Sequence, residues 1–330
     1  MLAHPAEVIR AGGLVIFPTE TVYGLGGNAL DPEAAGKIYA AKGRPSDNPL
    51  IIHIAFPEEA ERYTYTTPLY YRLAETFMPG PLTVILPARP CIPGTVTAGL
   101  PTVAVRCPSH PVAHALIAAA GVPIAAPSAN LSGSPSPTCC AHVIDDMRGR
   151  VDIILNGGDC DIGLESTIVK IEEDESLTLL RPGAITPADL SAVCPRLTVA
   201  PAVLGTLAPG ERVLSPGMKY KHYAPAVPFS LLDGDASQCA AYLGTQTGEF
   251  GVLCYDEDAG ALSGIPGCHL FPIGAKSHPE TLAHRLFYLL READKAGLSA
   301  LYAPLPNPDG LGLALYNRMI RAAAHHIIKL

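Results

Sequence analysis

The chain has 330 residues, with 31 glycines, 33 prolines, 48% hydrophobic residues and a formal net charge of −8. Glycine and proline together reach about one residue in five against roughly 12% in an average chain, yet the apolar fraction excludes a collagen-like or disordered polymer. The length points to two domains, and the acidic balance without any basic run argues against a protein living on nucleic-acid backbone.

Taken in chain order, a short helix around 6–11 precedes an apolar strand, LVIF (14–17). Asp31-Pro32-Glu33 reads as a helix start, with the aspartate as cap and the proline in the first turn. LIIHI (50–54), LTVIL (82–86) and TVAVR (102–106) are rich in β-branched residues and read as strands. Ser109 and Pro111 open a helix running to about Ala120, and VPIAA returns as a strand. VDIIL (151–155), STIVKI (166–171) and LTLLR (177–181) complete a sheet of about seven strands.

The stretch 196–228 is proline-rich and loses periodicity, so it reads as a linker between a domain over 1–195 and a smaller one over 229–330. In the smaller domain FSLL, FGVLC and SALYAP read as strands, with helices near 236–243, 280–296 and 312–328. The fold class is α/β: a twisted mixed sheet with helices, then a small Rossmann-like α/β domain.

Nine cysteines without a CxxC pair speak for reduced, mostly buried thiols and against a disulfide framework or zinc site. The first residues lack a signal-peptide pattern, and the apolar run 112–129 is interrupted by His114, Gly121 and Pro123. A cytoplasmic protein without a membrane span is expected.

Chemistry-bearing residues gather at strand ends. PTETVYGLG (18–26) crowds Thr19, Glu20, Thr21 and Tyr23 behind the first strand; it is either a tight turn or a ligand loop. The glycines miss the dinucleotide fingerprint because position 29 is Ala29. In KGRPSDNPLIIHI (42–54), Lys42 and Arg44 on a shaped loop suit a polyphosphate, although there is no P-loop, and His53 taken alone reads as a core histidine. Arg106 closes an apolar strand and must face an anion, from the protein or from a substrate. APSANLSGSPSPT (126–138) offers hydroxyls, Asn130 and backbone amides that can wrap phosphates or a ribose. Lys219, Tyr220, Lys221, His222 and Tyr223 concentrate in the linker. No Ser-His-Asp order or acid–base carboxylate pair stands out, which suggests catalysis by positioning anions, as in phosphoryl or nucleotidyl transfer.

PTETVYGLG, KGRPSDNPLIIHI, PGPLTVIL, APSANLSG, ESTIV, LLRPGAI and SPGMKYKHYAP, in this order, resemble the threonylcarbamoyl-AMP synthase family in its long form: a YrdC-like domain, a linker and a C-terminal domain. The resemblance implies conversion of L-threonine, bicarbonate (or CO2) and ATP to threonylcarbamoyl-AMP and pyrophosphate, the product being passed to separate tRNA threonylcarbamoyl transferase machinery. It places Thr21, His53, Arg106, Ala126 and Ser166 around threonine. Arg44, Asn48, Thr102, Ser128, Ser136, Arg181 and Tyr223 fall around ATP, with Lys42 near the phosphates. Arg44, Arg106, Arg181 and Lys42 would screen repulsion between carbamate and triphosphate. Mg2+ would be bound mainly through the ATP phosphates, with no protein metal ligands, and Tyr223 would close the pocket from the linker. Two other readings are a non-catalytic RNA-binding or ribosome-associated YrdC-like protein, disfavoured by the charge, and a carbamoyltransferase of the hydrogenase-maturation type, disfavoured by the missing CxxC motifs.

Overall fold

The computed structural model of the chain describes residues 2–205 and 222–330. The chain forms two compact units, one of Met1–Ser132, Ser136–Asp161 and Glu165–Lys219, the other of Gly133–Pro135, Ile162–Leu164 and Tyr220–Leu330. Part of the expected linker, including Lys219, Tyr220 and Lys221, lies outside the described residues.

Among the described residues, ten strands build the first unit: β1 Val15–Phe17, β2 Gly24–Asn28, β3 Ile51–His53, β4 Leu82–Pro87, β5 Thr102–Arg106, β6 Ile124–Ala125, β7 Ile153–Ile154, β8 Thr167–Ile171, β9 Leu177–Arg181 and β10 Leu197–Val199. They make one sheet in the order β10-β9-β8-β4-β5-β3-β6-β2-β1-β7. The sheet is mixed: β3 runs parallel to β5 and β4 to β8, whereas β4/β5 and β8/β9 are antiparallel. Helix Pro32–Lys42 starts as expected, with the Asp31 side chain accepting from the Glu33 amide, and ends at Gly43 with φ 61°. Helix Pro111–Ala120 packs Ala113, Leu116, Ile117 and Ala120 against Ile9, Val15, Phe17 and Ile124 in one buried cluster.

The strand count exceeds the expected seven, and the two strands without a strand-like run in the sequence are β2 and β10. β2 is Gly-Leu-Gly-Gly-Asn, which reads as a turn, yet its glycines are what let it sit in the sheet. A Cβ on Gly26 would lie 2.7 Å from both Ile124 Cγ2 and Phe17 Cε1. β7 is two residues long, and β10 continues the sheet beyond residue 195 by pairing with β9, inside what the sequence suggested was linker.

Among its described residues the second unit holds five strands, β11 Phe229–Asp233, β12 Phe250–Tyr255, β13 Cys268–Gly274, β14 Ala300–Pro304 and β15 Ile327–Lys329. Their order is β13-β12-β14-β11-β15 and every pairing is parallel, a Rossmann-like arrangement. The last helix is shorter than expected. It covers Gly312–Ala322, after which Ala324 and His325 take φ 48° and 62° and the chain turns into β15. Tyr223, with φ 65°, stacks on Phe287 at 5.2 Å between centroids and lies under the Arg318 guanidinium at 5.5 Å. Among the described residues no helix is long and apolar enough to cross a membrane.

Gly26→Ala should therefore destabilise the first unit by about 1–3 kcal/mol, the usual range for overpacking a tight core. A denaturant titration checks it, with the midpoint falling and the slope unchanged.

Candidate functional site

Register brings the candidate residues of the first unit to one end of several strands. His53 ends β3 directly opposite Arg106, the last residue of β5. Arg106 also faces Thr83 near the start of antiparallel β4. β8 runs beside β4 and begins at Thr167, so Ser166 sits at the same edge, and Arg181 ends antiparallel β9 opposite Ile168. Five strands, β3, β5, β4, β8 and β9, thus bring together His53, Arg106, Thr83, Ser166 and Arg181.

Arg106 is 4% exposed. Its Nη2 donates to Glu20 Oε1 at 2.6 Å, a buried ion pair, and approaches Thr19 Oγ1 at 3.5 Å. The other Glu20 oxygen accepts the Ser109 amide at 3.2 Å. The sequence left two anions open for Arg106, protein or substrate, and the structure supplies the protein one on one side. On the other side Nε is buried with no hydrogen-bond partner among the described residues. A buried N–H left unpaired costs about 1–3 kcal/mol, so this edge of the guanidinium is suited to an incoming acceptor.

The surrounding hydroxyls are ordered by donor counting. Thr19 Oγ1 donates to the Val22 carbonyl at 2.7 Å, and a hydroxyl has one proton to give. The 2.9 Å contact between the Thr19 and Thr21 hydroxyls is then donated by Thr21, which keeps its own lone pairs as acceptors. Ser166 Oγ accepts from Arg181 Nη2 at 3.1 Å and meets the Thr83 hydroxyl at 2.8 Å, while Arg181 Nε donates to the Ser166 carbonyl at 3.0 Å. Next to it, Ser136 Oγ donates to Glu165 Oε1 at 2.5 Å.

His53 is buried, with Nδ1 at 3.3 Å from the Ile124 carbonyl. A carbonyl only accepts, so Nδ1 carries the proton and the neutral ring offers Nε2 as an acceptor. Burial, and then the neighbouring Arg106 charge, push its pKa down to about 3. Phe17 meets the ring edge-on at 6.1 Å. Ala126, expected to lend backbone to a ligand, already donates its amide to the Ile51 carbonyl at 2.9 Å, which leaves its carbonyl.

A second group lies around the loop after β6. Lys42, 3% exposed, donates from Nζ to the Ser128 carbonyl at 2.5 Å, the Asn130 carbonyl at 2.6 Å and Asn130 Oδ1 at 3.4 Å. Expected near phosphates, this ammonium braces the 128–130 loop, which Ser128 Oγ also ties to Asn130 Oδ1 at 2.5 Å. Gly24 and Ser128 form an antiparallel bridge that joins this loop to β2. Arg44 Nη2 donates to the carbonyls of Asn48 and Pro49 at 3.3 and 3.2 Å. Asn48 is fully buried, and neither its amide nitrogen nor its amide oxygen has a partner among the described residues. Thr102 begins β5, whereas Arg106 ends it. At about 3.3 Å per residue the two ends are roughly 13 Å apart.

The structure thus gathers Thr21, His53, Arg106, Ser166 and Arg181 at one sheet edge and Lys42, Ser128 and Asn130 around one loop. It keeps Thr102 at the far end of β5 and packs Tyr223, expected over ATP, within the second unit. Sequence reasoning singled out neither Glu20 nor Thr83 as a partner. Glu20 had a signal, since an acid inside a hydroxyl-rich strand-end loop is a natural counter-ion for a buried arginine. Thr83 was visible only as the one polar residue in LTVIL. Nine cysteines are free, and burial pushes Cys107 up to about 12, so this thiol stays protonated and unreactive.

The depressed His53 pKa has a consequence for stability. The unfolded chain takes up this proton near pH 6.5 and the folded one only near 3, so stability is lost as pH falls through that window. His53→Gln should flatten the pH dependence of the unfolding free energy between about 6.5 and 4, measured by denaturant titration at each pH.

Comparison with known proteins places these features in a family. A family model of the Sua5/YciO/YrdC type, described as "Telomere recombination", matches residues 7–183. A second, described as "Threonylcarbamoyl-AMP synthase, C-terminal domain", matches residues 185–324. The threonylcarbamoyl-AMP synthase of Bacillus subtilis is 43% identical over 99% of this chain and 94% of its own length, and that of Pyrococcus abyssi 41% identical over 98% and 94%. The crystal structure of P. abyssi Sua5 complexed with L-threonine superposes with a TM-score of 0.88 at 40% identity, covering 100% of this chain and 96% of that one. With both domain models matched and relatives aligned along nearly its whole length, the chain belongs to the Sua5/YrdC family of threonylcarbamoyl-AMP synthases.

Proposed function

We propose that this chain joins L-threonine, bicarbonate and ATP into L-threonylcarbamoyl-AMP, as a nucleotidyltransferase that releases pyrophosphate. The observation that carries this reading is the buried Arg106 guanidinium, held by Glu20 on one side and presenting on the other an Nε that has no partner among the described residues. It is a rigid half-built carboxylate clamp of the kind an amino acid completes. The family membership and the P. abyssi relative with L-threonine support it.

In this reading the threonine carboxylate meets Arg106, and Thr21 Oγ1, the Ala126 carbonyl and neutral His53 Nε2 accept from its ammonium or hydroxyl. Ser166 lines the same pocket in a pose set by Arg181 and Thr83. The buried amide of Asn48, with Arg44, Ser128, Ser136 and Thr102, serves ATP. Lys42 and Arg181 act as positioning residues, since each braces another site element.

The chemistry then needs little acid–base help. The threonine amine adds to bicarbonate carbon and water leaves, giving a carbamate. A carbamate oxygen attacks the α-phosphorus, the bond to the β-phosphate oxygen breaks, and pyrophosphate departs with that electron pair. Because the carbamate is already an anion, aligning it against the α-phosphorus and offsetting charge are the main tasks. ATP enters as its magnesium complex, the ion held mainly by phosphates and water. Among the described residues there is no group of three His, Cys, Asp or Glu able to hold a metal. The product is an activated anhydride, consumed by a separate enzyme that transfers the threonylcarbamoyl group to tRNA. Nine free thiols suit the reducing cytoplasm.

Purified protein should release pyrophosphate only when ATP, threonine and bicarbonate are all present; release that ignores threonine contradicts the proposal. Glu20→Gln should raise the threonine KM by about 10-fold, equivalent to ~1.4 kcal/mol, and leave the ATP KM within about twofold. Steady-state kinetics on both substrates separates this positioning role from general misfolding, which would lower the active fraction without a selective KM change.

A further inference from the structure

The second unit carries a cavity of its own. In its parallel sheet the chain leaves β12 toward β13 on one side and leaves β14 toward β15 on the other, while β12 and β14 are neighbours. Open α/β sheets bind ligands beyond the carboxyl ends of their strands where the winding reverses in this way. At that place, beyond β11, β12 and β14, the structure has a cavity of about 280 Å³. Its walls are apolar, from Leu232, Leu243, Val252 and Leu262, with three charged groups at Asp235, Asp258 and Lys276. An apolar pocket with a few convergent polar groups is the usual form of a small-molecule site.

The charges select the ligand. Lys276 is already held, its Nζ at 2.8 Å from Asp258 Oδ1 and its amide donating to both Glu257 carboxylate oxygens at 3.0 and 3.2 Å. Asp235 caps helix Ala236–Leu243 by accepting the Gln238 amide at 2.9 Å. In a dinucleotide-binding fold that helix start receives the pyrophosphate, and a glycine-rich turn lets it approach. Here a carboxylate occupies the position and the turn has Gly234 alone, so a phosphate would meet negative charge. The acid following the second strand fits a different role. Asp258 comes about twenty residues after the first turn, where the same architecture places the carboxylate that accepts from ribose hydroxyls.

We propose that this cavity binds a nucleoside without phosphate, its base between the leucine and valine side chains and its ribose hydroxyls donating to Asp258 and Asp235. The site is independent of the reaction proposed above, and failure of either leaves the other standing. The test uses full-length protein with methyl-labelled leucine and valine, titrated with adenosine and followed by NMR, so that effects at the catalytic unit are separated by residue. Saturable shifts of the Leu232, Leu243, Val252 and Leu262 methyls are expected. AMP and 2′,3′-dideoxyadenosine should each bind there at least ~10-fold more weakly, the first through repulsion and the second through lost hydroxyls. Ala261→Phe, which fills the cavity, should abolish these shifts, and Asp258→Asn should weaken them, with methyl signals of the first unit unchanged. Absence of shifts at these methyls, AMP binding as tightly as adenosine, or shifts that persist in Ala261→Phe would each overturn the proposal.

Discussion

The first unit is organised around a guanidinium that the sheet carries into its own interior. Arg106 ends β5 at 4% exposure, and a charge in that position is costly unless it is paired. Glu20 supplies one face, arriving from a loop that the sheet itself could not provide, and Thr19 another. Nε remains without an acceptor among the described residues. A buried donor left in this state costs stability, and in the proposed reading the threonine carboxylate is what completes it. The same logic applies at fully buried Asn48, whose amide has neither donor nor acceptor satisfied among the described residues.

Neighbouring groups keep that guanidinium fixed and keep competing charge away. His53, opposite Arg106 in the register, is held neutral by burial and by the arginine itself. Arg181 and Lys42 are buried cations too, but their donors are directed at Ser166 and at the 128–130 loop. Two of the four cations that the resemblance assigned to catalysis thus also brace neighbouring elements of the first unit. This is efficient for chemistry whose demands are alignment and charge compensation, because preorganised donors need no rearrangement when charge develops.

Most of the strand framework was legible from apolar, β-branched runs such as TVAVR and STIVKI, since buried strands announce themselves by composition. The glycine-built β2 was not, because its pairing depends on Phe17 and Ile124 packing where side chains would otherwise stand. The end of the last helix was also hidden: apolar residues continue past Ala322, and only the left-handed turn at Ala324 and His325 stops it. In the site, individual residues were legible but their pairings were not. Glu20 and Arg106 are separated by 86 positions, and whether an arginine meets a protein or a substrate anion is decided by tertiary geometry. For Lys42, at the end of helix Pro32–Lys42, the carbonyls of Ser128 and Asn130 that it meets lie 86 and 88 positions away and were equally invisible in the sequence.

The central claim, that Arg106 is a carboxylate clamp completed by the amino acid, is tested most directly by equilibrium binding of L-threonine and L-threoninol, which lacks the carboxylate. Calorimetry on the unaltered protein should show threonine bound at least ~10-fold more tightly, and Arg106→Gln should bring the two ligands to within about twofold of each other. Equal affinities in the unaltered protein, or a preference that survives in Arg106→Gln, would contradict the account.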